Sequence, residues 1–134
     1  METNGKPLRV LVVDDDVDTR ETLCVILGFW GYDVRLAATG PEAISIASDY
    51  RPAVVFLDLG IPGLNGYEVA RALAGLTDRP FIAVVSGYGT EEDRKRSAVA
   101  GADIHLLKPA NLDQIKKLLE NLPANRRQLV QASS

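Results

Sequence analysis

Five short apolar runs recur along the chain, at Leu8 to Val13, Asp33 to Ala37, Ala53 to Leu57, Pro80 to Val85 and Asp103 to Leu107. Most are nearly continuous in apolar character, the pattern of strands covered on both faces. Asp33-Val34-Arg35-Leu36 alternates instead, which predicts an edge strand. Helical patterns fill the gaps. Leu23, Ile26, Leu27 and Trp30 form a stripe at spacings of three and four residues, with Gly31 as its stop. A second helix opens at Thr39-Gly40-Pro41-Glu42 and continues through Ala43, Ile44 and Ala47 to a stop at Pro52. A third spans about Asn65 to Gly75 with Val69, Ala70 and Leu73 on its inner face. A fourth begins near Thr90, where Glu91-Glu92-Asp93 suits the positive end of a helix. A fifth runs from about Asn111, with Leu112, Ile115, Leu118 and Leu119 inward, to Pro123. Strand and helix alternate five times, which predicts an α/β domain with a parallel sheet and right-handed crossovers. Periodicity fixes the layers and leaves the strand order open.

A length of 134 residues suits one domain, with residues 1–122 as the folded unit and 123–134 as a flexible tail or linker stub. The apolar fraction of 46% and charged fraction of 25% are those of a soluble globular protein. A net charge of −3 with 6% aromatics leaves no basic footprint for direct nucleic-acid contact. Arg94-Lys95-Arg96 follows three acidic residues and reads as a solvated helix face. No apolar run approaches the roughly 18 residues of a membrane span, and the N-terminus carries no signal-peptide pattern. The expected location is cytoplasmic, with no direct membrane role. Cys24, the lone cysteine, sits in the first helical pattern as a small buried hydrophobe.

The chemistry lies where the runs end. The first ends on Asp14 and Asp15, and the third on Asp58. In a parallel sheet that edge is where ligands bind, and if strands one and three are neighbours these carboxylates flank one crevice. Three converging carboxylates repel one another and call for a hard cation, which leaves one free to attack phosphorus. The plainer role of such residues is capping. It suits Asp16 and Asp18, on either side of a helix start; Asp58 is followed by Leu59-Gly60-Ile61-Pro62-Gly63 instead. The fourth run leads into Ser86, and the fifth into Lys108-Pro109, whose cis or trans state the sequence leaves open. An acidic triple, a hydroxyl and an ammonium on one edge suit phosphoryl transfer.

Val12-Val13-Asp14-Asp15-Asp16, Leu57-Asp58-Leu59-Gly60-Ile61-Pro62-Gly63-Leu64-Asn65-Gly66, Ser86-Gly87 and Lys108-Pro109 together resemble the receiver domain of bacterial response regulators, over roughly residues 7–122. The resemblance implies a flavodoxin-like, doubly wound five-stranded parallel sheet of order 2-1-3-4-5 with five helices. It makes Asp58 the phosphoacceptor that attacks a phosphohistidine. Asp14, Asp15, Asp58 and the Gly60 carbonyl would hold Mg²⁺ or Mn²⁺, Lys108 would bind the phosphoryl group, and Ser86 would move toward it. His105 takes the aromatic switch position, three residues before the lysine, where Tyr or Phe is commoner. Its expected role is an aromatic-like ring packing inward or outward, with pH sensitivity as the other reading. Gly60 and Tyr88 flank the phosphoryl group, so the absent side chain of one and the shielding ring of the other imply a long-lived acyl phosphate.

The implied function is a phosphorylation-dependent switch, an enzyme only toward its own phosphorylation and dephosphorylation. It would stand alone or come from a larger protein, with a likeness to receivers of hybrid sensor histidine kinases in Ser86 to Asp93 and Gly101 to Pro109. Expected partners are a sensor histidine kinase, a histidine phosphotransfer protein, or both. The polar fourth helix is weakly held, which suits an output face as well as an ordinary solvated helix, and the resemblance implies that this face is helix 4, strand 5 and helix 5, open to phosphorylation-dependent homodimers. A different class is a Mg²⁺-dependent small-molecule phosphatase or phosphotransferase with an aspartyl-phosphate intermediate, against which the short loops argue. A receiver-like interaction module that is never phosphorylated is a third reading, disfavoured because every acceptor-site residue is present.

Overall fold

A computed structural model describes residues 7–61 and 63–133, with side chains described through Leu122. The elements follow in the expected alternation: β1 (Arg9–Val13), α1 (Val17–Phe29), β2 (Asp33–Ala37), α2 (Gly40–Tyr50), β3 (Val54–Asp58), α3 (Gly66–Ala74), β4 (Phe81–Ser86), α4 (Glu91–Val99), β5 (Ile104–Leu107) and α5 (Leu112–Ser133). The strands form one parallel sheet of order β2-β1-β3-β4-β5. β1 and β3 are thus neighbours, and the alternating β2 lies at an edge, as its pattern predicts.

Period-two alternation sorts the strand residues between two cores. Leu11, Val13, Val55, Leu57, Ile82 and Val84 pack with Ala43 and Ala47 of α2 and with Val69, Ala70 and Leu73 of α3. Val10, Val12, Val54, Phe56, Phe81 and Ala83 pack on the other face with Leu27 of α1 and with Ile115, Leu118, Leu119 and Leu122 of α5. Each fully buried leucine or valine contributes about 1.5–3 kcal/mol relative to exposure.

Side-chain caps fix where four helices start. Asp16 accepts from the Thr19 N–H and Thr39 from the Glu42 N–H. Asn65 with Glu68, and Thr90 with Asp93, form reciprocal capping boxes. The first two helices end as their breakers dictate. Gly31 takes φ +99°, and Arg51, ahead of Pro52, takes the left-handed φ of 54°.

Four details differ from the pattern-based expectation. Of the α1 stripe, only Leu27 is fully buried, while Val25 and Phe29 on the same helix are exposed. Cys24 is half-buried, not buried, because α1 covers only Leu27 fully and leaves its other apolar positions partly open. Leu112, at the start of α5, is exposed and not inward. Finally, α5 continues past Pro123 to Ser133. A proline removes one backbone hydrogen bond and crowds the preceding turn without forbidding continuation, and helix-favouring Ala, Arg, Gln and Leu follow it. The segment expected as a flexible tail or linker stub, 123–134, thus has a helical backbone through Ser133, while its side chains and Ser134 lie outside the described residues.

Gly66 ties α3 to the end of β3. A Cβ there would stand 2.6 Å from the Leu59 carbonyl oxygen and 2.7 Å from its Cα, both backbone atoms one residue past Asp58. Gly66→Ala is therefore expected to cost about 2 kcal/mol, the usual size of overpacking, read as an earlier urea midpoint. An unchanged midpoint would show that the 59–66 segment yields freely.

Candidate functional site

The acidic residues converge at the C-terminal edge of the sheet, on both sides of the β1–β3 crevice. Asp14 extends the ladder of β1, its N–H donating to the Ala37 carbonyl at 3.0 Å, and it is nearly fully buried. Its Oδ1 accepts from the Asp16 N–H at 2.9 Å. Asp58, the last residue of β3, is 6% exposed. Its Oδ1 accepts from the Gly60 N–H at 3.0 Å and its Oδ2 from Lys108 Nζ at 2.9 Å. Asp15 is exposed and has no hydrogen bond or ion pair among the described residues. One carboxylate oxygen from each of Asp14, Asp15 and Asp58 lies within 4.8 Å of the others. Three hard oxygen donors so close, one with no protein partner, fit a hard divalent cation. Asp16 caps α1 with both its Thr19 bonds, as expected, whereas Asp18 sits in the first turn and is not the cap.

Charge at this edge is unbalanced. Burial, with the Asp58 and Asp15 carboxylates beside it, raises the Asp14 pKa above its ordinary value against the Asp16 N–H and Lys108. Burial alone would lower the Lys108 pKa, but its hydrogen bond to Asp58 and the charges of Asp58, Asp14 and Asp15 outweigh this and raise it. A carboxyl whose folded pKa lies above its unfolded value subtracts stability when ionised. That loss is recovered as pH falls through the folded value, and fully recovered below the unfolded one. Asp14→Asn, which keeps the acceptor for Asp16, is thus expected to raise cation-free stability at pH 7 by about 0.5–2 kcal/mol. The gain should shrink as pH falls toward the range where Asp14 protonates. Thermal melts in chelator across pH 4–8 read this directly, and a variant less stable at pH 7 overturns it.

The remaining strand ends close around Asp58. Ser86, the last residue of β4, is buried, and its Oγ accepts from the Tyr88 N–H at 3.0 Å, which leaves the hydroxyl proton to donate elsewhere. The Lys108 N–H donates to the Ser86 carbonyl at 2.8 Å and fastens the two strand ends together. The Lys108–Pro109 peptide is cis. Gly60 faces Asp58 directly, since a Cβ there would lie 3.5 Å from Asp58 Oδ1. Tyr88 is 76% exposed, so its ring stands in solvent and does not cover Asp58 in this state.

His105 is held by more than packing. Its Nε2 lies 2.9 Å from the Tyr88 carbonyl oxygen and its Nδ1 2.9 Å from Ser97 Oγ of α4. A carbonyl only accepts, so Nε2 carries a proton, and in the neutral ring Nδ1 accepts from the buried Ser97 hydroxyl. The imidazole therefore stitches β5 to the β4–α4 loop and to α4, where an aromatic-like ring packing inward or outward was expected. Ser97 lies outside every pattern that marks the site in sequence. Equally unmarked is a cavity of about 600 Å³ between α1 and α5, walled by Leu23, Ile26, Phe56 and Ile115 and reaching Asp14, Asp58 and Lys108.

Known proteins share this arrangement. The family model of the response regulator receiver domain matches residues 10–120. Response regulator MprA of Mycobacterium sp. (strain KMS) is 41% identical over 109 residues, which cover 81% of this chain and 47% of that protein. Response regulator MprA of Mycobacterium tuberculosis (strain H37Rv) is 41% identical over 108 residues. The chain spans about half the length of the curated relatives it matches. A CheY-like receiver domain protein from Methanospirillum hungatei superposes with a TM-score of 0.83 at 30% identity, covering 92% of this chain and 99% of that one. A response regulator from Burkholderia pseudomallei, crystallised with a phosphorylated aspartic acid, a calcium ion and citrate, gives a TM-score of 0.78 at 27% identity, covering 95% of this chain and 75% of that one. No helix among the described residues is long and apolar enough to cross a membrane. With five parallel strands in this order, an acidic triple across β1 and β3 and a family match over residues 10–120, the chain belongs to the response regulator receiver-domain family.

Proposed function

We propose that Asp58 accepts a phosphoryl group from a phosphohistidine and that the resulting acyl phosphate resets a partner-binding face. The carrying observation is Asp58 itself: a nearly buried carboxylate held by the Gly60 N–H and Lys108, within oxygen-ligand reach of Asp14 and Asp15. A carboxylate oxygen attacks phosphorus, the phosphorus–nitrogen bond breaks, and the imidazole leaves as the acyl phosphate forms. Asp14, Asp15, Asp58 and the Gly60 carbonyl are the residues that would hold Mg²⁺ or Mn²⁺. When bound, the cation supplies positive charge for the phosphoryl oxygens. Lys108 exchanges its Asp58 contact for a phosphoryl oxygen, and Ser86 donates its free hydroxyl proton to another. A related regulator with phosphorylated aspartic acid and a calcium ion supports the same chemistry on this fold.

The output face follows from exposure. Ile104 and Leu107 of β5, the edge strand beside α4, are exposed apolar side chains. Ser86 and His105 link the phosphorylation site to that face through Tyr88 and Ser97. We read residues 1–122 as the receiver unit and 123–134 as tail or linker stub. Its setting is a cytoplasmic single-domain regulator, a longer regulator or a hybrid kinase, served by a sensor histidine kinase or histidine phosphotransfer protein. Phosphorylation-dependent dimers through the α4-β5-α5 face belong to the same reading.

Intact-mass analysis after incubation with acetyl phosphate and Mg²⁺ tests the switch. One phosphoryl group per chain is expected, with no sustained turnover of a phosphomonoester. Gly60 places no side chain beside Asp58 to orient water, so the adduct should persist well beyond seconds in Mg²⁺ buffer. Decay within seconds would overturn the lifetime assignment, and continued turnover would overturn the switch.

A further inference from the structure

The Arg20 guanidinium donates from Nη1 to the Asp14 carbonyl oxygen at 2.8 Å. Arg20 is the fourth residue of α1, its own N–H bonded to the Asp16 carbonyl, so its side chain folds back over the loop that leads into its helix. The Asp14 carbonyl is the first past the end of β1, on a residue otherwise buried. Such a group needs a partner, and Arg20 supplies it. The Asp14–Asp16 loop then has three fastenings that involve side chains: Asp16 N–H on the Asp14 carboxylate, Thr19 on the Asp16 carboxylate, and Arg20 on the Asp14 carbonyl. The third alone fixes the plane of the peptide joining Asp14 to Asp15. Asp15 has no side-chain fastening of its own among the described residues, so that plane sets where its carboxylate stands.

We infer that Arg20 is a positioning residue for the divalent-cation site, holding the Asp14–Asp15 peptide so that both carboxylates meet Asp58. This rests on the proposed cation site and adds to it a residue outside the acidic triple.

Geometry and charge make opposite demands, which gives the test its sign. The guanidinium is a cation close to where a second cation would bind. Its charge, after the Thr19 hydrogen bonds and Lys108, helps hold Asp16 below the usual carboxylate range. If Arg20 acted only through charge, removing it would tighten Mg²⁺ binding; if it positions the loop, removal weakens binding. Calorimetric Mg²⁺ titration of the full chain is compared for wild type, Arg20→Met, Arg20→Ala and Arg20→Lys, with Asp15→Asn as reference. Roughly tenfold weaker binding is expected for Met and Ala, the usual cost of losing a residue that orients a metal ligand. Lysine, which can still donate to the carbonyl, should recover part of it. Melting in chelator checks the fold, and Met retains the side-chain stem should Ala fail to fold. Binding as tight as wild type, or tighter, in Arg20→Met overturns the proposal alone. Wild type without Mg²⁺ uptake, or Asp15→Asn indistinguishable from it, overturns the cation site and the proposal together.

Discussion

Asp58→Asn is expected to abolish phosphoryl incorporation, with no mass adduct where wild type takes up one group per chain. The substitution preserves shape. An asparagine Oδ1 still accepts from the Gly60 N–H, and the side chain fills the same volume at the end of β3. What it removes is the carboxylate proposed as nucleophile, because an amide oxygen does not attack phosphorus at a useful rate. It also leaves Lys108 without its ion pair, but that side chain is 41% exposed and its ammonium returns to water at little cost. The fold is therefore expected to survive, with an unchanged far-ultraviolet circular dichroism spectrum as the control. Equal labelling of the variant would move the acceptor elsewhere. Asp15 would be the next candidate, exposed and without a protein partner.

Much of this site is legible in the chain because a parallel sheet converts strand ends into neighbours. Asp14, Asp58, Ser86 and Lys108 are far apart in sequence, yet each ends or follows an apolar run, and the fold gathers such ends on one edge. Element types follow from periodicity for the same reason: Leu11 and Val12 point to opposite cores because successive side chains of a strand alternate. Strand order does not follow. Nothing in the run Val54 to Asp58 says that it pairs with β1 and not with β2, and only the motif resemblance supplies that pairing.

The features that escape sequence are those made by contact between elements. The His105 bonds to Ser97 and Tyr88 join residues with no periodic relation, and a lone serine on a polar helix carries no signal. The exposure of Leu112 reflects how far α1 and α5 stand apart over the cavity, and the partial burial of Cys24 how little of α1 is fully covered, quantities that no stripe encodes. The α5 stop fails for a related reason, since a proline weighs against a helix by a finite amount that neighbouring residues can offset. Arg20 belongs in this group as well. It reads as an ordinary solvated residue of the first turn until its guanidinium is seen on the Asp14 carbonyl.

Removing divalent cations is expected to suppress phosphorylation by a small-molecule donor on the order of a thousandfold, with Mg²⁺ or Mn²⁺ restoring it. The magnitude follows from the several kcal/mol that a bound cation contributes to phosphoryl-oxygen charge and from the tenfold per 1.36 kcal/mol of barrier. The chain's own groups show why so much rests on it. With Asp14, Asp15 and Asp58 ionised, Lys108 is the ammonium that bonds Asp58, so these four side chains keep two net negative charges. An anionic phosphodonor approaching that edge is repelled, and Lys108 must leave Asp58 before it can serve the phosphoryl group. Neither Ser86, a neutral donor, nor the Gly60 N–H, already committed to Asp58, makes up the difference. Burial, and after it the same imbalance, raises the Asp14 pKa, so low pH should partly relieve the repulsion without supplying positive charge. Chelated protein is therefore expected to stay inactive across pH 5–8 even as its stability changes. Labelling rates in chelator, against rates in Mg²⁺ buffer of equal ionic strength, decide the matter. Rates that survive chelation would mean that Lys108 alone balances the acceptor, and the acidic triple would then need another purpose.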